Sequence, residues 1–92
     1  MIQTVDILKC LSNKSRLEIL EFLNERPRQS QKSNVTAIAE NMMLSMSVTS
    51  RHLTRLEEIG LVIAEYHGAK TFYEIDRRNV LDFIKELQVT LG

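Results

Sequence analysis

The stretch from Leu44 to Val62, LSMSVTSRHLTRLEEIGLV, decides how this chain is read. Wound as a helix, it sets Leu53, Leu56 and Ile59 on one stripe, while Ser47, Ser50, Arg51 and Arg55 fall elsewhere around the cylinder. Short hydroxyls and guanidinium forks set away from an apolar stripe suit a helix that enters a DNA major groove, where they reach base edges and phosphates. Next come IAEY (residues 63–66) and TFYEI (71–75), which read as antiparallel strands with the four residues HGAK between them. The hairpin fits a wing that grips flanking DNA backbone, with Lys70 as a phosphate contact and His67 beside it on the same turn.

Working outward, Ser45 is a good N-cap for this helix, and Gly60 follows it where a positive φ is wanted. Upstream, Thr36 is expected to cap a helix over 37–42 that turns its Ile38 and Ala39 inward, with Met43-Leu44 as the turn. A very short strand is expected at Val35, after the polar, basic loop RPRQSQKSN of residues 26–34. Pro27 ends an earlier helix, about 14–24, capped by Ser12-Asn13 and offering Leu17, Leu20, Phe22 and Leu23 as apolar surface. Residues 4–11 form a short amphipathic helix with Val5, Leu8 and Leu11 on one stripe. A last helix, about 78–91 and capped by Asp76 or Asn79, aligns Val80, Phe83, Ile84, Leu87 and Leu91. The order is helix, helix, short strand, helix, turn, helix, hairpin, helix. It predicts an α+β, mostly helical fold: a winged helix-turn-helix with extra N- and C-terminal helices for dimerisation. The helix-turn-helix covers about 36–59 and the wing about 62–75.

Ninety-two residues leave room for one small domain, with a core too small to cover both terminal apolar stripes, so self-association is their plainest use. No apolar run approaches the ~20 residues of a membrane span, and the start has no signal-peptide pattern. The single cysteine, Cys10, excludes an internal disulfide framework, suits a reducing cytoplasm, and is expected to pack near the dimer seam. Formal net charge is zero, yet between Arg26 and Arg55 five basic side chains face Glu40 alone, so the positive surplus lies where the groove-reading helix lies.

The residues together resemble one family. LKCLSNKSRLEILEFL is similar to the opening of ArsR-family regulators, and NVTAIAENMMLSMSVTSRHLTRLEEIGLV resembles their helix-turn-helix, above all Ser50-Arg51-His52-Leu53 and Gly60-Leu61-Val62. EYHGAKTFYEI resembles their wing, so the likeness runs from about Val5 to Ile75. It implies a homodimeric repressor that binds an inverted repeat in or near a promoter and pairs through its first and last helices. DNA contacts are then expected from Thr36, Ser45, Ser47, Val48, Ser50, Arg51, Arg55, His67 and Lys70. The expected dimer seam is Val5, Leu8, Leu11, Val80, Phe83, Ile84, Leu87 and Leu91. Relatives carry their apolar residue one position later than Val48, so either Val48 is exposed to a thymine methyl or the helix is slightly rotated.

Sensing departs from the family pattern. Metal-sensing members often carry a Cys-x-Cys pair where this chain has Asn34 and Thr36, or Asp and His ligands along a terminal helix that here has no histidine. No metal, no cofactor and no redox pair is therefore expected; control falls to an unknown effector, a protein partner or the regulator's own abundance.

Each candidate residue also has a plainer role. His52 is expected to pack beside the core, Arg16 to make a structural ion pair with Glu18 or another helix, and Arg55 to pair with Glu58 as readily as with phosphate. Met42, Met43 and Met46 are expected to fill gaps in the core. Enzyme chemistry lacks an inventory: there is no paired-carboxylate cleft, metal-ligand cluster, glycine-rich phosphate loop or nucleophile elbow. The alternative is a winged-helix docking module for protein partners, which would favour an uncharged or apolar reading helix.

Overall fold

The computed structural model describes residues 4–25 and 33–92. Its elements run α1 (Thr4–Leu11), α2 (Lys14–Glu25), β1 (Ser33–Asn34), α3 (Val35–Met42), α4 (Met46–Glu58), β2 (Val62–His67), β3 (Lys70–Ile75) and α5 (Arg77–Leu91). The architecture is mostly helical, with one antiparallel sheet ordered β1-β3-β2. This is the expected winged helix-turn-helix with an additional helix at each end. Pro27 and the basic side chains Arg26, Arg28 and Lys32 lie outside the described residues.

The buried residues form one cluster built from Cys10 of α1, Ile19, Leu20 and Leu23 of α2, Ile38 of α3, Leu53 and Leu56 of α4, and residues of the hairpin. The α2 contribution differs from expectation. Ile19 is wholly buried, whereas Leu17 is 42% exposed, because the helix turns the 19–20–23 stripe rather than Leu17 toward the core. Of the three methionines near the turn, Met42 packs on the core, while Met43 and Met46 are exposed and fill no gap in it.

The helix ends follow local hydrogen-bond chemistry. The start of α3 comes earlier than expected: its cap is Asn34, whose Oδ1 accepts the Ala37 N–H at 2.9 Å, and not Thr36. Val35 is the first helical residue, not a strand residue. The two-residue strand before it pairs Ser33 with Tyr73 and Asn34 with Phe72. At its other end α3 stops at Met43, in the left-handed region at φ 57. The Leu44 and Met43 N–H groups bond back to the Ala39 and Glu40 carbonyls, which satisfies the last turn and aims the chain into α4. Ser45 caps α4 as expected, its Oγ accepting the Val48 N–H at 3.2 Å.

Gly60 takes φ 86, and the Leu61 and Gly60 N–H groups bond to the Leu56 and Glu57 carbonyls in the same closing arrangement. A Cβ at Gly60 would sit 3.3 Å from Asn79 Nδ2, which donates to the Gly60 carbonyl at 2.9 Å and ties α5 to the end of α4. The wing strands are longer than the sequence suggested. His67 pairs with Lys70, leaving Gly68 and Ala69 as the turn, which Gly68 makes feasible with its φ of 60. Asp76, rather than Asn79, caps α5.

Candidate nucleic-acid interface

The α4 helix has one wholly buried line, Thr49, Leu53 and Leu56. Thr49, not Val48, is the inward residue; Val48 is half-buried at its side. Because that line anchors α4 on the core, Ser47, Arg51, Thr54 and Arg55 are left exposed, with Ser50 half-buried between them. Ser45 Oγ, besides capping, lies 3.5 Å from Ser47 Oγ.

Two open recesses flank this face. One, of about 490 Å³, lies between the start of α3, the start of α4 and the wing turn; Thr36, Ser47, Ser50 and Lys70 line it together with Asn34, Val35, Met46, Ala69 and Thr71. The other, of about 800 Å³, is lined by Ser47, Ser50, Arg51, His52, Thr54, Arg55 and Glu58, and across from them by Arg16 of α2. Ser47 and Ser50 are thus the shared wall between a wing-side recess and an arginine-rich one. The fold brings together residues separated by more than thirty positions, as the spacing of Thr36 and Lys70 illustrates.

His67 is in neither recess. Its Nε2 is 2.9 Å from Glu65 Oε1, and its ring meets Phe72 edge-on. Arg55 meets Glu58 at 3.7 Å, a largely solvated pair that contributes little to stability and leaves the guanidinium free to exchange partners.

Arg16 differs from its expected role. Instead of pairing with Glu18, its Nε donates to the Cys10 carbonyl at 2.6 Å and its Nη1 lies 3.5 Å from His52 Nδ1. The helix that carries it is capped by Asn13, whose Oδ1 accepts the Arg16 N–H at 3.1 Å. His52 is packed and partnered, as expected. Burial first, then the charges of Arg16 and Arg51, hold its pKa below the ordinary 6.5, so the neutral ring is favoured. Cys10 is fully buried, and desolvation raises its thiol pKa despite the nearby Arg16. Among the described residues, no three His, Cys, Asp or Glu side chains are grouped as they would be to hold a metal ion. Arg16 and Thr54 are not among the DNA contacts expected from the sequence. Nothing in the periodicity of α2 connects Arg16 with α4, although its position in the first turn after a capped start was visible.

The terminal helices keep apolar surface. Val5 and Leu8 of α1 and Leu81, Ile84, Val89 and Leu91 of α5 are exposed. Leu11 and Val80, both expected at a dimer seam, pack against the core of this same chain, while Phe83 and Leu87 are half-buried. No helix of the described residues is long and apolar enough to cross a membrane.

A winged helix-turn-helix with a hydroxyl- and arginine-bearing recognition helix defines a DNA-binding transcriptional regulator. The sequence profile of the bacterial regulatory proteins of the arsR family matches residues 13–64. HTH-type transcriptional regulator YbzH of Bacillus subtilis (strain 168) is 32% identical over 96 residues, covering 90% of this chain and 96% of that protein. This chain belongs to the arsR family. The homodimeric winged helix-turn-helix DNA-binding domain of Mb0332 from Mycobacterium bovis superposes with a TM-score of 0.72 at 29% identity, covering 95% of this chain and 76% of that one. Reduced HlyU from Vibrio cholerae N16961 does so with a TM-score of 0.71 at 29% identity, over 94% and 85% of the two chains. The family is one of regulators, not of enzymes.

Proposed function

We propose that the protein is a homodimeric repressor that binds an inverted-repeat operator and does not respond to metals through the family's thiolate or histidine sites. The observation that carries the reading is the Ser47–Ser50 wall, with Arg51 on one side and Thr36 and Lys70 on the other. Arg51 and the two serines read base edges; Lys70, on the wing turn, supplies grip on the backbone. Ser45, Val48 and Thr36 contribute from the start of α4 and α3, and Arg55 and His67 are peripheral. Pairing through α1 and α5 is supported by their exposed leucines, isoleucine and valines and by the homodimeric Mycobacterium bovis domain of the same fold. Asn34 and Thr36 offer an amide and a hydroxyl, poor ligands for a soft metal, and α5 has no histidine. Control then rests with an effector of another kind, a protein partner or the level of the regulator itself.

Selection of bound duplexes from a random DNA pool tests the reading and yields the operator. Arg51→Ala is then expected to lose ~1–3 kcal/mol of discrimination between operator and scrambled duplex, the usual cost of one bidentate arginine–guanine pair. Lys70→Ala is expected to weaken both duplexes alike and to lower the salt slope by about one unit. Equal weakening of both duplexes by Arg51→Ala would reverse these roles. A parent protein that selects no duplex would favour a winged-helix docking module instead.

A further inference from the structure

The recess between α2 and α4 is lined by three arginines, Arg16, Arg51 and Arg55, and by the two serines Ser47 and Ser50. Among the described residues Glu58 is paired with Arg55, while no carboxylate is paired with Arg16 or Arg51. A guanidinium offers five N–H donors in a rigid fork. Arg16 commits Nε to the Cys10 carbonyl and directs Nη1 at His52 Nδ1, which leaves three N–H bonds unused on a side chain already held in place. A donor set fixed before binding loses little entropy when it takes up an anion, and guanidinium geometry matches phosphate oxygens.

We propose that this recess seats one backbone phosphate of the bound duplex, with Arg16 as its principal ligand. The proposal rests on the DNA-binding reading and deepens it. The recess shares its Ser47–Ser50 wall with the base-reading face, so the anion that reaches it is the phosphate rail beside the groove occupied by α4. The contact carries no sequence information; it sets the depth and tilt of α4 in the groove. Because Arg16 also holds the Cys10 carbonyl in the last turn of α1, the same side chain ties that helix to the DNA backbone.

The test begins with the unaltered protein and selected operator duplexes carrying a single neutral methylphosphonate at successive backbone positions. One position flanking the bases read by α4 is expected to weaken binding. Arg16→Gln is expected to weaken operator and scrambled duplexes to a similar degree, to lower the salt slope by about one unit, and to be insensitive to the methylphosphonate that affects the parent. Arg16→Lys, which keeps charge without the fork, is expected to recover part of the affinity. Thermal unfolding of each variant checks that it is folded. Additive effects of Arg16→Gln and every methylphosphonate would overturn the proposal while leaving DNA binding intact. If no single methylphosphonate matters to the parent, the proposal also fails, whatever the variants do. A parent that binds no duplex removes the underlying reading as well. Inorganic phosphate is expected to displace the duplex no more than its ionic strength explains; stronger, Arg16-dependent displacement would make the recess a small-anion site instead.

Discussion

Thr49 sits in the most protected line of the recognition helix, and its Oγ1 is buried without a hydrogen-bond partner among the described residues. A buried hydroxyl that has lost water and gained nothing is a cost, and valine has nearly its shape. Thr49→Val is therefore expected to stabilise the fold by about 1 kcal/mol, read as a higher midpoint in urea; a lower midpoint would mean that the hydroxyl has a bound partner in solution. His52, one turn further on, links stability to pH. Burial, Arg16 and Arg51 depress its folded pKa below 6.5, so between that lowered value and 6.5 the unfolded chain binds more protons. The His52 contribution is complete above pH 6.5 and is lost as pH falls through that window. Urea titrations from pH 8 to 5 are expected to show a shallower pH dependence for His52→Gln than for the parent. Identical pH dependence in the two would rule out a depressed pKa.

At the scale of elements, the caps decide where the helix-turn-helix begins and bends. Asn34 caps α3 from within β1, so one side chain joins the wing sheet to the helix that supports α4. Asn34→Ala is expected to cost about 1 kcal/mol, the usual value of an N-cap. Thr36→Ala, at an exposed position already inside the helix, is expected to change stability by less than about 0.5 kcal/mol. Denaturation of the two variants separates these roles, and the reverse order would restore Thr36 as the cap. The left-handed Met43 and the closing bonds to Ala39 and Glu40 set the angle at which Ser45 starts α4, and so hold Ser47 and Ser50 toward the wing.

For the whole molecule, the apolar surface left on α1 and α5 is what a chain of this size cannot bury alone. Ile84, 43% exposed on α5, also borders the groove between α2 and α5 without belonging to the core cluster. Ile84→Glu is expected to keep the fold and convert a dimer to a monomer by light scattering at tens of micromolar. Operator affinity is expected to fall by about a hundredfold or more, because linked half-sites gain avidity of that order. A parent that is already monomeric at those concentrations would contradict the dimer.

What the amino-acid order determines by itself is most of the local structure, above all from α4 through the wing. The 3.6-residue stripe of Leu53, Leu56 and Ile59, the serine cap at Ser45, the glycine at Gly60 and the hairpin turning at Gly68 each depend on neighbours a few positions away, and each is present, the wing strands being only longer than expected. The sequence order of helices and hairpin was enough for the winged architecture. Tertiary structure decided what needs two distant segments at once. Arg16 leaves Glu18 for the Cys10 carbonyl across the α1–α2 turn, and its Nη1 reaches His52, thirty-six residues away, because packing α2 against α4 brings those two side chains together. Asn34 takes the cap from Thr36 because pairing with β3 holds it extended at the helix start. Leu17 yields to Ile19, and of the two positions left open Thr49 turns inward with Val48 half-buried beside it, because the core accepts only one rotation of each helix, and that rotation is chosen by the shape of the elements on the other side.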